Sequence, residues 1–142
     1  MSEISRFQKL ALKRGLTPGA LLDANPPDFD ILLLSIRRGF SAGENYTERA
    51  VNELLKSWLA GPGGMLDVDH VELRRWMADL QILSRDVYGQ AYLLAPIPAR
   101  LQLLDAMLAD VDFASEFAKA NEQELQRRAA RKAAWQQSKA GA

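Results

Sequence analysis

Apolar positions recur at helical intervals over most of the chain, and the breaks between them fall at glycine and proline. Ile4, Phe7, Leu10 and Leu12 share a spacing that ends near Gly15. Thr17 before Pro18 then marks a helix start, a hydroxyl cap followed by a residue whose missing N–H would be unpaired there anyway. A short helix through Leu21 and Leu22 completes a helical hairpin. Asn25, Pro26 and Pro27 end it, because the residue before a proline is pushed out of the helical region. Phe29, Leu32, Leu33, Ile36 and Phe40 outline the next helix, with Gly39 near its end. Glu44 to Tyr46 suits a very short strand. Thr47 is placed to cap a second helix whose buried stripe is Val51, Leu54, Leu55 and Trp58.

The stretch Ala60 to Gly64, AGPGG, cannot remain helical, since glycine is costly there and proline lacks the amide proton. Asp67 or Asp69 caps a third helix with Val71, Leu73, Trp76, Met77 and Leu80 on its apolar side. Ile82 and Leu83, then Ala91 to Leu94, have strand character and are joined through a turn at Gly89. Pro96 and Pro98 mark a border. Beyond it Leu101, Leu104, Met107 and Leu108 predict an amphipathic helix, and Asp110 or Asp112 starts another anchored by Phe113 and Phe117. The expected fold is mainly α with a small β-hairpin. A winged helix-turn-helix-like domain over residues 29–95 stands between a helical hairpin at 1–28 and a helical extension with a basic tail at 96–142.

The pieces NYTERAVNELL, LRRWMADLQILSR and YGQAY occur in the order and at the spacing of a known pattern. In that pattern tyrosine-threonine-glutamate precedes valine-asparagine-x-leucine-leucine, a leucine-arginine-arginine helix and glycine-x-x-tyrosine. From Ile31 to about Leu94 the chain resembles the bacterial family catalogued as domain of unknown function 2087. The resemblance implies a winged-helix-like, regulator-associated domain with a DNA-binding or regulatory role and supplies no active site. Its polar matches here are Tyr46, Thr47, Asn52, Arg75, Asp79 and Tyr92, whose structural reading is capping and core hydrogen bonding. Two positions depart from the pattern. Ala50 stands where members carry an acidic capping residue. Gln81 stands where they carry glycine, at a left-handed cap that costs a side chain up to about 1 kcal/mol.

Composition narrows the function. The chain has 142 residues, 48% of them hydrophobic and 25% charged, which is one ordinary soluble domain with extensions. Eighteen basic and eighteen acidic residues make no general case for a polyanionic partner, so any such case is local. Residues 31–94 carry seven basic and eight acidic side chains, which counts against strong DNA binding by that segment alone. With no cysteine there is no disulfide, thiolate metal site or thiol nucleophile, and a reducing cytoplasm is the expected compartment. No secretory leader is expected, and with apolar runs as short as Ile31 to Leu34 the chain is expected to have no membrane partner.

Candidate chemistry is correspondingly sparse. His70 is the only histidine, and with Asp67 and Asp69 it makes at best an O,O,N trio that helix capping explains equally well, so no metal or other cofactor is expected. GPGG lacks the lysine and hydroxyl of a phosphate loop, and no serine sits in a nucleophile elbow, so no enzyme is expected. The candidate nucleic-acid residues are Arg74 and Arg75 in the third helix, Arg85 at the hairpin tip beside Asp86 and Tyr88, and Arg127, Arg128, Arg131 and Lys132 in the tail. Adjacent helical positions point about 100° apart, so Arg74 and Arg75 cannot both face a groove, and one can pair inward with Glu72 or Asp79. Beyond Leu125 five cations, Lys139 included, stand with no acid among them, and Trp135 can stack on a base or bury against a partner. Lys9, Lys13 and Arg14 join that surface if the termini lie together. The first expectation is a regulator bound to duplex DNA. The alternative is a protein-interaction module whose flanking helices dock a partner or form a homodimer.

Overall fold

The computed structural model describes residues 2–88 and 90–141; Gly89, expected in the hairpin turn, lies outside the described residues. Helices α1 (Glu3–Ala11), α2 (Pro18–Ala24) and α3 (Pro26–Arg37) come first. They are followed by β1 (Tyr46–Thr47), α4 (Glu48–Ala60), α5 (His70–Asp79), β2 (Leu83–Arg85), β3 (Ala91–Leu94), α6 (Gln102–Met107) and α7 (Phe113–Ala140). The fold is mainly helical with one three-stranded antiparallel sheet in the order β1-β3-β2.

Side-chain caps set most of the helix starts. Thr17, Thr47, Asp69 and Asp112 each accept a hydrogen bond from the backbone N–H three residues on, so Asp69 and Asp112 are the caps used, not Asp67 and Asp110. Asn25 both ends α2 and caps α3, whose first residue is Pro26. The proline pair therefore opens a helix as well as closing one, and α3 begins three residues before the apolar pattern at Phe29 shows it. The sheet is larger than a hairpin because Tyr46 and Thr47 pair with Tyr92 and Ala91 of β3. Arg85 lies within β2 opposite Tyr92, not at the tip, where Val87 and Tyr88 stand 97% and 83% exposed.

The centre of the molecule is α3. Residues Ile31 to Ile36 are all buried, which a helix achieves only when other elements cover every side of it. Trp58 of α4 reaches it through a buried indole N–H that donates to Ser35 Oγ at 2.9 Å. Arg37 donates to the Ala95 carbonyl after β3, and Arg38 donates to the Val111 carbonyl and lies over the Phe113 ring, 5.1 Å from its centroid. Arg6 of α1 approaches the buried Asp28 carboxylate. Phe7, Leu10, Leu101, Leu108 and Phe113 are buried in the same apolar cluster as Leu55, Leu73 and Met77. One core thus spans the proline-marked borders. Helix α1 runs parallel to the start of α7, with Phe7 edge-on to Phe113 at 4.9 Å and Asn121 donating to the Ala11 carbonyl.

Candidate functional site

The two adjacent arginines of α5 have different fates. Arg74 is only 13% exposed at its side chain; it reaches across to α4, 2.8 Å from the Glu48 carboxylate, and donates to the Asn52 side-chain oxygen. The partners are on α4 rather than Glu72 or Asp79 of its own helix, so Arg74 and Asn52 together fix α5 against α4. Glu48 is half exposed and water screens that pair. Arg74→Ala is accordingly expected to lower stability by only about 1 kcal/mol, read as a shift in the urea midpoint with an unchanged slope.

Arg75 points outward. Glu72 and Asp79, three residues before and four after it, share its exposed face, so this face of α5 carries two acids and one base. Below it an open cleft of about 840 Å³ separates the end of α5 from β2, lined by Arg75, Asp79, Gln81, Ser84, Arg85 and Pro96. Gln81 adopts φ of 62°, so the left-handed cap for which glycine is suited is kept here with a side chain in place. Gln81 and Ser84 were not among the candidate residues; the only signal in the sequence was Gln81's departure from the glycine pattern.

Of the family-matching side chains, Tyr46, Thr47, Asn52 and Tyr92 hold the fold around this face, whereas Arg75 and Asp79, expected to serve the core, are exposed on it. The Tyr46 hydroxyl accepts from the Ser41 amide at 2.7 Å and donates to Glu44, Thr47 caps α4, and Tyr92 is buried in the sheet. Asn52 serves Arg74, not a backbone group. The carboxylate of Asp69 is taken by the Glu72 amide, and among the described residues no group of three or more His, Asp or Glu is placed to hold a metal ion.

A second surface lies at the other end of the chain. From Leu125 onward every described residue of α7 is exposed, so only about the first 14 of its roughly 42 Å, near residues 113–121, is packed closely on the body, and the far half stands clear. Arg127, Arg128 and Arg131 all bond the Glu124 carboxylate, at 2.8, 3.2 and 3.3 Å, which tempers the acid-free reading of this segment. Arg14 donates to Asn121, bringing Lys13 and Arg14 beside the base of this basic half. The zero net charge conceals segregation. Residues 1–16 and 113–142 hold ten basic and four acidic side chains, and residues 17–112 hold eight basic and fourteen acidic ones. Helices α1 and α7 with the residues that flank them, Lys13 and Arg14 included, therefore form a limb of formal charge +6 on a body of −6.

Residues 27–94, α3 to the end of β3, match the family model described as uncharacterized protein conserved in bacteria. This segment is similar to the family named DUF2087. No curated protein and no solved structure matches it. The matched segment includes the sheet, α5 and most of the Arg75 cleft, whereas the basic limb lies on both sides of it in sequence. Among the described residues no helix is long and apolar enough to cross a membrane.

Proposed function

We propose that this protein is a non-enzymatic, DNA-binding regulatory protein of winged-helix type, working in a reducing cytoplasm, whose contact with duplex DNA is made by the α1–α7 limb. Three things support the reading. The succession α3, β1, α4, α5, β2, β3 with sheet order β1-β3-β2 is compatible with a winged helix and supports that reading. The limb concentrates ten of eighteen cations, and a polyanion binds by displacement of its counterions from such a surface. Trp135, 64% exposed with Lys139 over its ring at 5.1 Å, offers a face for stacking.

The observation that carries it is the segregation of charge, and it moves the expected interface. The third helix presents Glu72 and Asp79 beside Arg75, which repels a phosphate backbone, whereas Arg128, Arg131 and Lys132 face solvent on a helix that clears the body. The test is fluorescence polarisation with a mixed pool of duplex DNA at low salt. Binding is expected to fall with added salt at a log–log slope of about −0.9 per phosphate contacted. Arg128→Ala, Arg131→Ala and Lys132→Ala together are expected to weaken it at least tenfold, with Arg75→Ala neutral. No binding at low salt would end the proposal.

A second reading is favoured by Leu125 and Trp135, large apolar side chains 61% and 64% exposed on the same free helix. They suit a protein partner or a homodimer, in which case sedimentation shows association that the salt series leaves standing.

A further inference from the structure

Nine of the twelve arginines are engaged by a carboxylate, an amide or a carbonyl of the chain itself. Among the described residues Arg49, Arg75 and Arg85 have no such partner, and two of these three line the same cleft. They come from different elements, Arg75 from the outer face of α5 and Arg85 from the end of β2, so their convergence is made by the fold and not by sequence proximity. Guanidinium groups present planar forks of donors suited to paired oxygens.

The cleft also holds Gln81 and Ser84, which add neutral donors, and a wall at Ala78, Leu83 and Pro96. Gln81 is kept at a φ of 62°, a backbone conformation that favours glycine. That strain is tolerated at the rim of the cleft, where the extra side chain can reach an occupant. We infer that this cleft binds a small anion with at least two acceptor oxygens, a carboxylate or a phosphate.

The surrounding charge decides between a small anion and a nucleic-acid backbone. Glu72 stands on the approach along α5, Asp79 lines the cleft and Asp86 follows Arg85. A chain of phosphates crossing this surface runs past Glu72, Asp79 and Asp86, whereas a compact anion held within the cleft meets Asp79 as the one carboxylate among its lining residues. The inference is independent of the proposed DNA role, since it uses none of the limb residues.

The experiment is amide-detected NMR titration of the full chain with inorganic phosphate and, separately, with succinate, which distinguishes the two oxygen sources. Saturable shifts are expected at residues 78–85 and at Ala95 with one of the two. Arg75→Ala and Arg85→Ala are each expected to weaken binding about tenfold or more, and Arg49→Ala to leave it unchanged. Asp79→Asn is expected to tighten it severalfold. All four residues are exposed, so the variants retain the fold, which the unshifted remainder of the spectrum checks. The inference is overturned if neither anion shifts these amides, if the shifts are confined to α1 and α7, or if Arg49→Ala weakens binding as much as Arg75→Ala does.

Discussion

Gly63→Ala is expected to destabilise the protein by about 3 kcal/mol, the sum of overpacking in a tight core and a broken buried hydrogen bond. A Cβ at Gly63 would land within the Trp58 ring, its three nearest neighbours being Cζ3, Cε3 and Cδ2 of that indole. The ring cannot retreat cheaply. Its N–H is committed to Ser35 Oγ in the middle of α3, and Trp58 is itself 8% exposed. If the indole moves, the Ser35 hydroxyl, on a residue only 5% exposed, loses its partner. The Gly63 amide also donates to the Trp58 carbonyl at 2.8 Å, so the turn that follows α4 is tied to the same residue and cannot shift independently. Urea denaturation followed by tryptophan emission measures the loss. Gly19→Ala is the control: a Cβ there meets only Trp76 Cζ2, at 4.0 Å, and the position is helical, so a change under about 1 kcal/mol is expected. Equal midpoints for Gly63→Ala and the unaltered protein would show that the packing of Trp58 on this turn is not what closes the end of α4.

That turn illustrates what could and could not be read from the residues alone. AGPGG plainly ends a helix, but nothing local says that its second glycine accommodates an indole three residues before the loop begins. Local rules did well where the determinant is local. Thr17, Thr47 and one aspartate of each candidate pair cap the helices as their chemistry requires, and every buried residue of α4 and α5 falls on the expected stripe, though Leu54, Val71, Trp76 and Leu80 are only partly covered. They fell short where the determinant is distant. In α3 the periodic positions Phe29, Leu32, Leu33 and Ile36 outline a single apolar stripe, yet all of Ile31 to Ile36 are buried because α1, the segment after β3 and the start of α7 cover the other sides. The candidate residues divide in the same way. Helical geometry required Arg74 and Arg75 to diverge, but which of them turns inward depends on Glu48 and Asn52, more than twenty residues earlier. The convergence of Arg75 with Arg85, and of Lys13 and Arg14 with the basic half of α7, depends equally on tertiary packing.

Phe7→Ala is expected to cost about 3–5 kcal/mol, the range for emptying a fully buried aromatic site, although the residue lies outside the matched domain. Its ring is 0% exposed and meets Phe113 edge-on at an interplanar angle of 74°, so the cavity would open between the two segments that flank the domain in sequence. Phe113 in turn carries Arg38 over its ring, and Arg38 leads directly to α3. Because these contacts belong to the core and not to an appended layer, the variant is expected to unfold in a single transition, with circular dichroism and tryptophan emission coincident. By the same reasoning residues 27–94 expressed alone should not fold stably. Cutting away Phe7, Leu10, Leu101, Leu108 and Phe113 uncovers the sides of α3 that they bury and leaves a piece of only 68 residues, near the size at which a single core becomes marginal. A well-dispersed NMR spectrum from residues 27–94, or a Phe7→Ala variant that loses α1 in an early step while tryptophan emission holds to the main transition, would mean that the flanking helices are an accessory layer. The basic limb would then be free to move relative to the domain. A single shared transition means instead that the limb and α3 are one cooperative unit, tied through the Arg37 bond to Ala95 and the Trp58 bond to Ser35 to the sheet edge and α4 that frame α5.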